Sequence, residues 1–224
     1  MTGEAAYMND KDCCLIITGG SYDGCSPADR TYGLIIACDK GYEYSERLGI
    51  KPQVLVSDFD SFDGEVDKDV IVERHPSVKN DTDTQLAVKY ALGAGYTCID
   101  ILYALGGRKD HEYANYQTGI YAAKRGAMLR LVSKDQEIFF LPEGTKDFTI
   151  KPEADHCFSV FSATERCEGV YIKNAAYELN DAVLTFDSAE FTGQSNEFLK
   201  NGDDVKISVS KGILIVMHSF RNKK

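Results

Sequence analysis

The stretch YGLIIACDKGYEYSERLGIKPQVLVSDFDS, residues 32–61, decides the fold of the N-terminal half. It begins with an apolar run at 32–38, continues with apolar residues at helical spacing over 42–48, and returns to a second apolar run at 53–57. A short, continuously apolar run bounded by turn residues is typical of a strand that is buried on both faces. The stretch therefore predicts two parallel strands joined by a helix.

The same alternation extends to residue 141, after which the pattern changes. Further strand-like runs lie at 13–18, 70–74, 98–105 and 128–133, and further helix-like segments at 84–92 and 111–125. After residue 141, strand-like runs at 148–152, 157–163, 169–179, 182–186, 204–210 and 212–220 are separated by Gly, Asn and Asp turns. We therefore expect an α/β N-terminal domain with a mostly parallel sheet over residues 1–141, followed by an all-β sandwich C-terminal domain over residues 142–224.

Charge and composition narrow the classes of function. The net charge of −10 argues against a nucleic-acid partner, because affinity for that backbone comes from Lys and Arg. No run approaches the roughly 20 apolar residues that cross a bilayer, and no signal-peptide pattern is present, so we expect a cytoplasmic protein without membrane contact. The seven cysteines include no CxxC spacing, which favours reduced, buried side chains over disulfides or a metal site.

Aspartates follow three of the predicted strands or precede the next helix. Asp39 follows 32–38, Asp58 and Asp60 follow 53–57, and Asp81 and Asp83 precede the helix that begins near residue 84. The carboxyl ends of parallel strands meet at one edge of a sheet, where ligands bind. Several carboxylates at one edge repel unless a cation lies among them, and Mg²⁺ prefers such ligands. Taken singly, Asp81 or Asp83 could instead cap the helix.

The segment LGGRKDHEYAN, residues 105–115, follows a strand and begins a helix. Gly106 and Gly107 permit close approach of the backbone to a phosphate, the helix N-terminus favours an anion, and Arg108 can form a fork on phosphate oxygens. Asp110 and His111 could instead be a capping pair. The spacing matches neither the GxxxxGK[ST] phosphate loop nor the GxGxxG dinucleotide pattern.

Five motifs in this order and spacing resemble the thiamine pyrophosphokinase family. They are CDKG (38–41), SDFDS (57–61), NDTDTQLAVKYAL (80–92), GGRKDHEYAN (106–115) and SNE (195–197). The resemblance covers nearly the whole chain. It implies an ATP:thiamine diphosphotransferase that yields thiamine diphosphate and AMP with Mg²⁺. It also implies a homodimer whose active site lies at the subunit interface, between the α/β ATP- and Mg-binding domain of one subunit and the thiamine-binding sandwich of the other.

The resemblance also implies roles for individual residues. The catalytic and metal-binding residues would be Asp58, Asp60 and Asp83. As a separate hypothesis, Asp83 or Asp60 would accept the proton of the thiamine hydroxyl late in the transfer. Ser195 and Asn196 would bind thiamine. The nucleotide would be bound by Asp39, Thr82, Gln85, Gly106, Gly107, Arg108, Asp110 and His111.

Two departures from the family pattern are present, and other functions remain open. Lys40 replaces a glycine of the first motif, while Asn80 and Gln85 stand where the family commonly has acids. A related pterin diphosphokinase shares the nucleotide motifs. A metal-dependent nucleotidyl or glycosyl transferase would also use an Asp-x-Asp pair. A binding module without catalysis is a third class.

Overall fold

A computed structural model describes residues 13–58, 62, 64–74, 81–187, 193–200 and 202–220. The chain divides into two compact units. The α/β unit comprises the described part of 9–122 together with Leu129–Lys134, and the sandwich unit comprises Ala123–Met128 and the described part of 135–224. No helix among the described residues is long and apolar enough to cross a membrane.

The α/β unit contains six strands and three helices among its described residues. The strands are β1 (Cys13–Ile17), β2 (Leu34–Cys38), β3 (Val54–Ser57), β4 (Ile71–Arg74), β5 (Cys98–Leu102) and β6 (Met128–Val132), and the helices are α1 (Gly41–Arg47), α2 (Asp83–Gly93) and α3 (Lys109–Ala123). The strand order is β6-β5-β1-β2-β3-β4. The pairs of β1 with β2 and β5, of β2 with β3 and of β3 with β4 are parallel. Every residue of β1, β3 and β5 is buried, as expected for strands covered on both faces.

A buried ion pair joins β5 to β6 inside this unit. Arg130 donates to both carboxylate oxygens of Asp100, from Nε at 2.9 Å and from Nη2 at 2.5 Å. The hydroxyl of Tyr32 also donates to Asp100, at 2.7 Å. Burial, followed by the charge of Asp100, raises the pKa of Tyr32. The buried charges of Asp100 and Arg130 are thus paired and hydrogen-bonded to each other, and Tyr32 adds a further hydrogen bond to Asp100. Buried charges require such partners.

The cysteine expectation is wrong for one pair. Cys13 and Cys98 form a disulfide, because the parallel register of β1 and β5 sets them directly opposite each other with Cα atoms 4.5 Å apart. The sequence spacing of the two cysteines contains no sign of this register. Cys14, Cys25, Cys38, Cys157 and Cys167 are not part of this disulfide, and all but Cys157 are buried.

The sandwich unit contains two antiparallel sheets around one core. Its strands are β7 (Gln136–Leu141), β8 (Phe148–Ile150), β9 (His156–Ser162), β10 (Arg166–Lys173), β11 (Leu179–Thr185), β12 (Gly193–Asn196), β13 (Val205–Ser208) and β14 (Leu214–Phe220). Four of its strands follow one another in the order β12-β9-β14-β7 within a larger sheet, and the other four form a separate sheet in the order β11-β10-β13-β8. A single cluster of buried side chains, including Leu141, Phe158, Ile172 and Val216, contains residues of both sheets. The prediction of parallel α/β structure followed by antiparallel strands is confirmed at this level of strand pairing.

Two strands differ from the sequence expectation. β7 was not among the predicted strands, yet it pairs with β14 over six residue pairs and belongs to the sandwich unit. β12 was predicted only as a binding motif, and it pairs with β9 at Gly193 and Asn196, with a register shift between them. A strand of four residues, two of them exposed, carries little apolar pattern, so sequence periodicity does not reveal it.

Candidate functional site

A cavity of about 740 Å³ lies within the α/β unit, where β1, β2 and β5 end. Turns that follow these three strands form most of its wall, and the N-terminal parts of α2 and α3 complete it. Its lining consists of residues 18–21, 38–40, 82–84, 103–104, 106–108, 111 and 115. This is the edge of a parallel sheet at which ligands are expected to bind.

The acidic side of the cavity centres on Asp39. Its backbone adopts a left-handed conformation with φ of 48°, and its carboxylate accepts a hydrogen bond of 2.7 Å from Ser57 Oγ. Burial, which has the largest effect, and the neighbouring carboxylates of Asp83 and Asp58 together raise the pKa of Asp39 to about 6, against the lowering effect of the Ser57 hydrogen bond. Three carboxylates are therefore close enough to disfavour simultaneous ionisation unless a cation joins them.

The opposite side of the cavity is a glycine turn followed by α3. Gly107 has φ of +71°, and a Cβ placed there would lie 2.8 Å from Ser21 Oγ. The amide of Gly106 donates to Glu112 Oε2 at 3.2 Å, across the first turn of the helix. Backbone amides and the positive end of a 15-residue helix thus face the same cavity as the carboxylates.

Arg108 and Asp110 form a bidentate pair beside this turn. Arg108 donates from Nε to Oδ1 at 3.1 Å and from Nη2 to Oδ2 at 2.6 Å. The guanidinium of Arg108 lowers the pKa of Asp110. The backbone amide of His111 also donates a hydrogen bond to the Asp110 carboxylate. Asp110 lies in the first turn of α3 rather than at its N-cap, and it is absent from the cavity lining, whereas Arg108 and His111 are part of it. Asp110 is therefore placed to orient the guanidinium.

The two acids just before and at the start of α2 have different surroundings. Thr82 is the N-cap and accepts a hydrogen bond of 3.1 Å from the amide of Gln85, so neither Asp81 nor Asp83 has the capping role. Asp81 pairs with Lys89 at 2.7 Å. Thr82 and Asp83 line the cavity, while Gln85 and Asp58 do not, although Asp58 acts on Asp39 electrostatically. Asp60 and Asn80 lie outside the described residues.

The two residues expected at the thiamine pocket lie in the sandwich unit, on β12. Ser195 has φ of 60°, and its amide donates to Ser159 Oγ at 3.0 Å. The buried carboxamide of Asn196 bonds both backbone groups of Tyr177, at 3.0 and 2.8 Å, and accepts from the amide of Glu197. Asn196 therefore ties the end of β12 to the turn at Tyr177, which is a positioning role.

Sequence reasoning missed the first turn of the cavity. Residues 18–21 follow β1, and a Cβ at Gly20 would lie 2.1 Å from the carbonyl oxygen of Tyr103. Only glycine permits this approach of two turns. The signal was available, since TGGS after the first strand repeats the arrangement of LGGR after the fifth. Asn115, which also lines the cavity, donates to the carbonyl of Ala104 at 2.7 Å and so fixes the turn to α3.

Known proteins resemble the chain along most of its length. A curated thiamine pyrophosphokinase of Bacillus subtilis is 30% identical over 192 residues, which are 83% of this chain and 87% of that protein. The crystal structure of thiamine pyrophosphokinase from Bacillus subtilis aligns with a TM-score of 0.75 at 26% identity, covering 93% of this chain and 99% of that one. Yeast thiamin pyrophosphokinase, at 13% identity, shares the fold with a TM-score of 0.66, covering 96% of this chain and 88% of its own.

Two family models match separate parts of the sequence. The thiamin pyrophosphokinase catalytic domain matches residues 30–131, which include the acids and the glycine turn of the cavity. The thiamin pyrophosphokinase vitamin B1 binding domain matches residues 147–214, which include Ser195 and Asn196. Because the two matches together span more than half of the sequence, the chain belongs to the thiamine pyrophosphokinase family.

Proposed function

We propose that the protein transfers the terminal diphosphate of ATP to the hydroxyl of thiamine, giving thiamine diphosphate and AMP. The main observation behind this proposal is that one cavity is lined by Asp39 and Asp83 and also by the glycine turn and Arg108. Family membership supports a pyrophosphokinase and does not favour a pterin enzyme or a nucleotidyl or glycosyl transferase. The reaction, the nucleotide and the metal are the parts that the cavity geometry suggests.

The glycine side of the cavity suits the phosphates of a nucleotide. The amides of Gly106 and Gly107 and the N-terminus of α3 would donate to phosphate oxygens, in place of the present bond to Glu112. Arg108 would hold oxygens that do not react, with Asp110 as its orienting partner. The proposed nucleotide set also retains Asp39, Thr82, Gln85 and His111.

The carboxylate side fits Mg²⁺. Asp39, Asp58 and Asp83 interact closely enough that burial and mutual repulsion raise the pKa of Asp39, so a hard cation would relieve the repulsion. We assign the metal ligands as Asp58, Asp60 and Asp83. When bound, Mg²⁺ would neutralise charge on the phosphate groups during transfer. Asp83 or Asp60 would accept the proton of the thiamine hydroxyl late in the transfer.

The thiamine side rests on the sandwich unit. Ser195 is exposed and could contact the substrate, while Asn196 keeps the adjoining loops in place. We propose a homodimer in which these residues complete the site of a partner subunit, and a cytoplasmic location. Light scattering on the purified protein tests the dimer, and a mass equal to one chain would contradict it.

The decisive experiment measures two products together. Incubation with thiamine, ATP and Mg²⁺ should give AMP and thiamine diphosphate in equal amounts. Pyrophosphate or a nucleoside diphosphate as the product would indicate the transferase alternative, and a preference for pterin over thiamine would indicate the related diphosphokinase. Thermal stabilisation by ATP without turnover would indicate a binding module.

Variants then separate the two sides of the cavity. Asp58→Asn and Asp60→Asn should each lower kcat/KM, and near-wild-type values in both would contradict the metal assignment. Arg108→Ala should raise the KM for ATP about tenfold, as expected for loss of one charged hydrogen-bonding group on an exposed side chain. An unchanged KM for ATP would remove Arg108 from the site.

A further inference from the structure

A second cluster of polar side chains lies in the sandwich unit, and the proposed function does not use it. Glu153 precedes β9, His156 begins β9, and His218 lies on β14. One ligand atom from each residue can be chosen so that all three lie within 4.8 Å of one another. The rings of His156 and His218 are also in contact, with centroids 4.9 Å apart.

The tautomer of His156 follows from its hydrogen bond. Its Nδ1 lies 3.0 Å from the carbonyl oxygen of Ala154, which can only accept, so Nδ1 carries the proton of the neutral ring. Nε2 then keeps its lone pair. That atom lies 3.6 Å from Glu153 Oε2, and both side chains are largely shielded from solvent, at 16% and 33% exposure.

His218 is more deeply buried and has a carboxylate near its Nδ1. Only 4% of its side chain is exposed, and its Nδ1 lies 3.7 Å from Glu137 Oε2 on the neighbouring strand β7. Its Nε2 is buried and has no hydrogen-bond partner among the described residues. Buried polar atoms are nearly always paired, so an orphaned nitrogen on an imidazole that lies beside a second imidazole and a carboxylate needs an explanation.

We propose that Glu153, His156 and His218 bind Zn²⁺ through one carboxylate oxygen and the two Nε2 atoms. Two nitrogens and one oxygen are a donor set that suits Zn²⁺ and other late transition metals, whereas Mg²⁺ prefers oxygen ligands throughout. Tetrahedral ligands at the usual zinc distances are about 3.4 Å apart, close to the 3.6 Å between His156 and Glu153. Because the three ligand atoms lie within 4.8 Å of one another, closing the site requires a movement of up to about 1.4 Å.

The surroundings supply what a metal site needs beyond three ligands. Glu137 is the carboxylate that orients His218 from behind, and the Ala154 carbonyl does the same for His156. Glu153 and His156 also line a cavity of about 340 Å³, together with residues 197–200. This cavity would give the ion an entry path and would leave space for a water molecule as the fourth ligand. Bound zinc would tie the loop before β9 to β14 within the sandwich unit.

Cobalt is the probe that tests the site, because Co²⁺ replaces Zn²⁺ and gives a visible spectrum that depends on its ligands. Titration of the metal-free full-length protein should show one equivalent of tetrahedral Co²⁺, which Zn²⁺ then displaces. Glu153→Gln and His156→Gln should each abolish the stoichiometric signal. His111→Gln, a histidine outside the cluster, is the matched control and should retain it.

Other measurements keep the test decisive if His218 proves necessary for folding. Glu137→Gln, which leaves all three ligands in place, should weaken Co²⁺ binding by about 10- to 100-fold through loss of orientation. A near-ultraviolet thiolate-to-cobalt band would assign the metal to cysteines and overturn the proposal. The proposal would also fail if Co²⁺ did not saturate, or if Glu153→Gln and His156→Gln bound it as the wild type does.

Discussion

The strands of the α/β unit and those of the sandwich unit bury their side chains in different patterns. All five residues of β1 are buried, whereas burial in β8 and the later part of β9 falls on alternate residues. A strand covered on both faces has no side chain free for a ligand, so polar chemistry in the α/β unit lies where strands end. A strand with one free face can carry polar groups along that face, as Arg166, Glu168 and Lys173 do on β10 in the sandwich unit.

The first prediction breaks the α/β unit at its buried ion pair. Asp100→Leu should lower the free energy of unfolding by about 3–5 kcal/mol, because the buried charge of Arg130 loses its carboxylate. Arg166→Ala in the sandwich unit is the control. Its pair with Glu168 is exposed, so its loss should leave the free energy of unfolding close to the wild-type value. Urea denaturation measures both, and equal effects would contradict the comparison.

The second prediction compares neighbouring positions on one strand of each unit. Leu15→Ala and Ile16→Ala, both on β1, should each cost about 2–5 kcal/mol of stability, since both side chains are fully buried. On β10, Ile172→Ala should cost a similar amount, while Lys173→Ala should stay within about 0.5 kcal/mol. Thermal unfolding of the four variants decides. A tolerant residue 15 or 16 would mean that one face of β1 is not packed.

The third prediction concerns residues beyond the strand ends. Asp83→Asn should lower kcat/KM by at least about 100-fold with little change in stability, because an electrostatic contribution at the reacting groups is lost. Asp81→Asn is the matched control, since Asp81 pairs with Lys89 and is not part of the cavity lining. Steady-state assays of AMP formation compare them. Equal losses in the two variants would locate the effect in the loop and not in the carboxylate.

The smallest effect is a pH dependence. The pKa of Asp39 is raised to about 6, so the protonated form contributes stability that is present below about pH 4 and is lost as pH rises through 6. Asp39→Asn removes this loss. In metal-free protein, its melting temperature relative to wild type should therefore be higher at pH 7 than at pH 4, by a few degrees at most. A constant difference across that range would contradict the raised pKa.

Sequence periodicity predicted the parallel and the antiparallel regions, because it reflects the burial of side chains along a single strand. It did not report which strands are neighbours, so the pairing of Cys13 with Cys98 was invisible until β1 and β5 lay side by side. It also overlooked β12, whose four residues owe their conformation to β9 and not to an apolar pattern of their own.

For the site, motif spacing brought Asp39, Asp83, Gly107 and Arg108 to one edge, because each follows a strand or begins a helix. The turn at residues 18–21 was missed, since its glycines are explained by the approach of Tyr103, which is distant in sequence. Asp81 shows that a motif residue can also lie outside the site. It is two positions from Asp83, yet its carboxylate is paired with Lys89. Such partners depend on side-chain direction, which spacing alone does not contain.

The disulfide between Cys13 and Cys98 also changes the covalent topology of the chain. It closes a loop with a sequence separation of 85, which contains β2, β3, β4, α1 and α2. A protease that cut the exposed stretch 67–69 would therefore leave both fragments in one molecule. They would migrate as a single species on a non-reducing gel and separate only after the sulfur bond is reduced.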